Sequence, residues 1–164
     1  MIILGIDPGI AITGYGVIDV RANNFKMLDY GVIRSSSELE TAQRLKKIHR
    51  AIGELIKKHQ PIAVAMEELF FNKNVRSAFS VGRAQGVVML AGCELGLPVY
   101  EYTPLQVKQA VVGYGRADKQ QVQFMVKTIL NLRETPTPDD AADALAIAIC
   151  HSNFYSSGLG RKGV

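Results

Sequence analysis

The sequence predicts an α/β protein built on a mixed five-stranded sheet, three antiparallel strands followed by two parallel ones, with helices on both faces. Three observations carry this prediction. The chain opens with three strand-like segments joined by short loops, as in an antiparallel meander. The continuously apolar run Ile62-Ala63-Val64-Ala65-Met66 has the pattern of a central strand covered on both sides, which parallel sheets produce. Segments with apolar residues at helical spacing then alternate with a further short strand.

The first strand is Ile2 to Ile6, an apolar run that ends in Asp7 and is stopped by Pro8-Gly9. An acid closing a buried strand faces either a site or a local turn whose amides it caps, because burying it unpaired is costly. Residues 13–20 form the second strand and 25–34 the third, with Asn23-Asn24 as the turn. Gly14 and Gly16 interrupt the second strand, where a bulge or a ligand lying close to the backbone excludes side chains.

Ser37-Glu38-Leu39-Glu40 reads as a capping box opening a helix whose buried face carries Leu39, Leu45, Ile48, Ile52 and Ile56. Its other face is basic (Arg44, Lys46, Lys47, Arg50, Lys57, Lys58) and reads as solvated, with His49 and His59 on the same surface. The strand at 62–66 ends in Glu67-Glu68, whose side chains alternate, so one of the two can share a site with Asp7. Phe70 and Phe71 follow in a loop with Lys73, where one aromatic suits base stacking and the other suits the core.

A helix over 76–95 contains Gly82, Gly86 and Gly92, for which close packing is the expected compensation, and Gly96 stops it. Val99 to Tyr102 is the last strand; Thr103 and Pro104 start a helix, Gly113-Tyr114-Gly115 breaks it, and Asp118 opens another. Lys108, Arg116 and Lys119 cluster around that break. The final helix starts at Pro138-Asp139-Asp140 and runs apolar to about Cys150, leaving residues 153–164 as a flexible tail behind a single domain at 1–152.

Composition narrows the classes. No apolar run reaches the ~18 residues of a membrane helix, and the N-terminus lacks a signal-peptide pattern. Cys93 and Cys150 lack metal spacing and read as reduced core residues of a cytoplasmic protein. A net charge of +4 favours an anionic partner.

Four acids stand at strand ends or a helix start: Asp7, Glu67, Asp140 and Asp143, the last two on one helix face. Helix-dipole capping explains Asp139 or Asp140 alone, but not Asp143 inside an alanine-rich stretch. Clustered carboxylates without His or Cys partners repel one another unless a hard cation bridges them, and oxygen-only ligation suits Mg²⁺ or Mn²⁺. Two such ions, roughly 3.5–4 Å apart, activate water and stabilise the leaving oxygen of a phosphodiester. With the basic residues and loop aromatics, this points to a metal-dependent nuclease.

The blocks GIDPG (5–9), TGYGV (13–17), MEELFFNKN (66–74), GRAQGV (82–87), VKQAVVGYGRADKQQV (107–122) and DDAADALAIAICH (139–151) resemble the RuvC-type Holliday-junction resolvases of the ribonuclease H-like superfamily. The resemblance implies a homodimer that cuts a four-way DNA junction by paired nicks of like polarity, beside a RuvA–RuvB branch-migration complex. By position it implies that Asp7, Glu67, Asp140 and Asp143 are catalytic acids holding Mg²⁺, two ions per site with Mn²⁺ as substitute. It places Phe70 on a base, and Lys108 and Lys119 near the scissile DNA; Lys73, Arg76 and Arg116 are further expected DNA contacts. Asp139 departs from the pattern by adding an acid beside Asp140, and the motif favours Asp140 as the ligand. Another ribonuclease H-like nuclease acting on branched DNA, or a junction-binding module without catalysis, are the alternatives; retention of all four acids argues against the second.

Overall fold

The computed structural model describes residues 1–22, 24–68 and 75–156, with residues 75–77 described by their backbone alone. Its elements in order are β1 (Ile2–Asp7), β2 (Ile12–Arg21), β3 (Asn24–Arg34), α1 (Thr41–His59), β4 (Ala63–Glu67), α2 (Val75–Glu94), β5 (Val99–Tyr102), α3 (Pro104–Val112), α4 (Lys119–Ile129) and α5 (Asp139–Ser156). One sheet runs β3-β2-β1-β4-β5. β1, β2 and β3 pair antiparallel, while β4 and β5 add parallel to β1, so the expected mixed sheet is present.

Alternation along β1 and β4 divides the core in two. Ile3, Ala63 and Ala65 face a layer made by α3, α4 and α5. Leu4, Ile6, Val64 and Met66 face α1 and α2, where Ile48, Ile52, Ile56 and Val88 cover them. The helix boundaries follow local chemistry. Thr103 caps α3 and Asp118 caps α4, each in a reciprocal capping box with the glutamine three residues on. Gly113, at φ 92°, ends α3 in the left-handed region.

Several sequence expectations change. α1 starts at Thr41, with Glu40 at the cap position and no side-chain cap. Ser36 Oγ instead accepts from the Glu38 amide, closing a turn that takes 36–39 out of the helix and leaves Leu39 exposed. α5 continues past Cys150 to Ser156, because Phe154 packs its ring 5.3 Å from Tyr102 and Tyr155 lies against His151. Cys150 is buried as expected, but Cys93 is exposed near the end of α2. His59 is not a solvent histidine: its Nε2 bonds Asp29 Oδ2 at 2.9 Å beside Lys58, fastening the end of α1 to β3. Gly92 packs against Val99 and Val64, yet Gly86 faces open space, so close packing accounts for only the former.

Candidate active site

Asp7 and Glu67 terminate adjacent parallel strands, one register step beyond the Ile6–Met66 pair, on the face covered by α5. α5 lies unusually close to the sheet there. A side chain at Gly5 would strike the Ala144 carbonyl, and one at Gly14 would strike that of Asp140; at Gly16 it would come within 2.7 Å of the Leu145 side chain. Gly14 and Gly16 therefore admit a helix rather than a ligand, and the break in strand register falls later, between Val17 and Ile18. The close approach brings the first turns of α5, with Asp140 and Asp143, over the end of β1.

Electrostatics record the resulting crowding. Burial, then the charges of Glu67, Asp143 and Asp140, push Asp7 up to about 7, while Lys119 works in the opposite direction. Burial also raises Glu67, helped by Asp143 and opposed by Lys108. Asp143 is raised by its own burial against the opposing pull of Lys119. Lys119 Nζ sits 3.1 Å from Asp139 Oδ2 and 3.2 Å from Asp143 Oδ2. Glu67, Lys108, Lys119 and Asp143 border one cleft, floored by Val107, Val122 and Ile147.

The four acids offer carboxylate oxygens, and their mutual repulsion is what a hard dication relieves, so their donor chemistry fits Mg²⁺ or Mn²⁺. No three described His, Cys, Asp or Glu side chains close on one point as a ready cage. The ammonium of Lys119 supplies positive charge to Asp143 in this arrangement.

The structure thus gathers Asp7, Glu67, Asp140, Asp143, Lys108 and Lys119, drawn from β1, β4, α5, α3 and α4. Glu68 points elsewhere and is exposed, as strand alternation requires of one member of the pair. Asp139 turns away from Asp7 toward α4, where Gln123 Nε2 donates to its Oδ1 at 2.9 Å and Lys119 takes its other oxygen. Arg116 is exposed in the turn before α4. Phe70 and Lys73 lie outside the described residues, as does the side chain of Arg76 in α2.

Other residues in the vicinity escaped the sequence reading. Gln85, buried in α2, donates to the Glu67 carbonyl at 2.7 Å and fixes the end of β4. Thr13 Oγ1 donates to the Gly9 carbonyl, and Ser35 Oγ to that of Ile10, so the loop after Asp7 is held from β2 and from the residue that follows β3. Arg44 donates to Ser35 Oγ, which withdraws it from the solvated basic face. A glutamine amid Ala84, Val87 and Val88 was one visible signal; the Thr13 brace is local, four residues from Gly9, whereas the Ser35 brace comes from 25 residues away and had none.

The fold and acid cluster together define a ribonuclease H-like protein of the resolvase kind. A family model described as "Crossover junction endodeoxyribonuclease RuvC" matches residues 3–151. The chain belongs to that family. It is 58% identical over 161 residues to the crossover junction endodeoxyribonuclease RuvC of Desulforamulus reducens, covering 98% of this chain and 99% of the relative. The protein of the same name from Halothermothrix orenii is 58% identical over 162 residues, covering 99% and 97%. Among solved structures, T. thermophilus RuvC in complex with a Holliday junction substrate superposes with a TM-score of 0.93 at 42% identity, over 97% of each chain.

Proposed function

We propose that this protein is a crossover junction endodeoxyribonuclease that resolves four-way DNA junctions in recombination and repair by hydrolysing one phosphodiester in each of two opposed strands. The observation that supports this most directly is the crowding of acids from β1, β4 and α5 around Asp7, in a chain of the RuvC family. Asp7, Glu67, Asp140 and Asp143 are the proposed metal ligands. These carboxylates would hold Mg²⁺, or Mn²⁺ in its place, which when bound would supply Lewis-acid activation of water and charge stabilisation of the leaving oxygen. Lys108 and Lys119 border the same cleft as Glu67 and Asp143 and are proposed to hold the scissile backbone beside the acids. Phe70 is proposed to stack on a base, with Lys73, Arg76 and Arg116 as further phosphate contacts.

Two nicks call for two sites, and a C2 dimer presents them to a junction of matching symmetry. The proposed self-contact is α2. Val88 is buried within the subunit and unavailable, but Phe79, Arg83, Gly86, Leu90 and Cys93 form an exposed stripe at helical spacing. A nuclease domain over residues 1–152, with α5 extending a turn further, carries the activity in the cytoplasm beside a RuvA–RuvB branch-migration complex.

The test is incubation with a mobile four-way junction, with and without Mg²⁺. Symmetric paired nicks that require the ion are expected. Absence of cutting, or equal cutting of linear duplex, would refute the reading.

A further inference from the structure

We infer that Asp139 is a positioning residue for Lys119, acting with Gln123 to keep the ammonium at the edge of the acid cluster; the inference rests on the catalytic reading above. Lys119 is the first residue of α4, where the helix dipole disfavours a cation, and the cap carboxylate of that helix, Asp118, is engaged by the Gln121 amide. The ion pairs of Lys119 come instead from α5. Asp139 Oδ2 lies 3.1 Å from Lys119 Nζ and Asp143 Oδ2 lies 3.2 Å away on the other side.

These two acids differ in what else they do. Asp143 is half-buried and adds to the field that raises Asp7, so it belongs to the cluster proposed to hold metal. Asp139 is exposed and directs its second oxygen to Gln123 Nε2 at 2.9 Å. Lys119 and Gln123 stand four apart on one face of α4, so a single carboxylate spans both. A carboxylate engaged by a metal has less to offer an ammonium. Asp139 then remains as the anchor that keeps Lys119 over the cleft instead of free in solvent, with its own orientation set by Gln123.

Junction cleavage by wild type, Asp139→Asn, Lys119→Ala and the double variant tests this, with kcat and KM separated. Asp139→Asn should lower kcat/KM by roughly two- to fivefold, the range an exposed ion pair supplies. It should have no further effect once Lys119 is alanine, because nothing is left to position. Gln123→Leu should produce a smaller loss in the same direction, also silent in the Lys119→Ala background. A readout free of turnover accompanies these: the Mg²⁺ concentration that half-maximally raises the melting temperature of the DNA-free protein. That midpoint should match wild type in Asp139→Asn and rise in Asp140→Asn. A shifted midpoint in Asp139→Asn, or a loss that persists in the double variant, would make Asp139 a ligand and overturn the inference. Wild-type kinetics in Asp139→Asn would show the ion pair to be idle and overturn it equally. If Lys119→Ala and the four acid variants all cut at wild-type rates, the catalytic reading itself falls, which is a distinguishable result.

Discussion

Asp7 shows at the scale of one residue why the acids are costly to the fold and useful to the chemistry. It is raised to about 7 by burial and by three other carboxylates, so folding favours its protonated form. The sign follows: without divalent metal, Asp7 stabilises the fold at low pH and that contribution is lost as pH rises from about 4 to about 7. Glu67 and Asp143 are raised as well and act in the same direction. His151, buried and pushed down to about 4, runs the opposite way, weakening the fold as pH falls from about 6.5 toward 4. Comparing wild type with Asp7→Asn cancels the histidine. In EDTA the melting temperature of Asp7→Asn should gain on wild type between pH 4 and pH 7, and a constant difference across that range would contradict the coupling. Catalysis should respond in reverse. Asp7→Asn, Glu67→Gln, Asp140→Asn and Asp143→Asn should each lower junction cleavage by at least about 100-fold, the upper end for mere supporting partners of a metal site. Junction binding should persist, because it rests on the basic residues. Gel-shift and cleavage assays on the same samples separate the two effects.

Among the elements, α5 does most to assemble the site, and glycines in the strands make that possible. Gly14 lies beneath the Asp140 carbonyl, so Gly14→Ala should push the first turn of α5 outward. Overpacking of this kind costs about 1–3 kcal/mol, and here it should also reduce cleavage, since Asp140 and Asp143 ride on the displaced turn. Gly53 is the counterpart. It sits inside α1 with nothing within 4 Å of the place an added methyl would occupy, so Gly53→Ala should stabilise the fold by up to about 1 kcal/mol and leave cleavage unchanged. Chemical denaturation of the two variants checks both signs. The braces on the loop after Asp7 belong to this scale too. They tie the turn between β1 and β2 to the segment after β3 and the start of α1, so that four consecutive elements fix the strand end that carries Asp7.

For the whole molecule, the proposed assembly centres on α2. Its exposed stripe places Phe79 at 69% and Leu90 at 51% accessibility on one side of the helix, while Ala84, Val88 and Ala91 cover the sheet on the other. Phe79→Glu with Leu90→Glu should convert a dimer to monomers at micromolar concentration, with the melting temperature of the subunit little changed, and sedimentation velocity reads the outcome. The paired variant should make single nicks rather than symmetric pairs. A wild-type protein that sediments as a monomer and still makes paired cuts without dimerising on DNA would remove α2 from this role. Cys93 on the same stripe offers an independent reading, because a thiol reagent should label it more slowly in the dimer than in the monomeric variant.

What the sequence determined by itself was whatever rests on short-range pattern. Strand and helix periodicity, the helix starts at Thr103 and Asp118, and the stop at Gly96 are read within a few residues and recur in the structure, although the one capping box expected, at Ser37 to Glu40, does not. The candidate acids were also visible: Asp7 and Glu67 because a carboxylate that ends an apolar run is conspicuous, Asp140 and Asp143 because they share one face at the start of an apolar helix. What only the tertiary structure decided was how distant segments meet. The glycines of β2 looked like room for a ligand until α5 was laid across them. His59 and Arg44 looked like members of a solvated face until Asp29 and Ser35 arrived from β3 and the residue after it. Asp139 and Asp140 are neighbours that sequence barely distinguishes; successive helix positions point about 100° apart, so one faces Asp7 and the other faces Lys119. That difference of direction exists only once α4, α5 and the sheet are packed together.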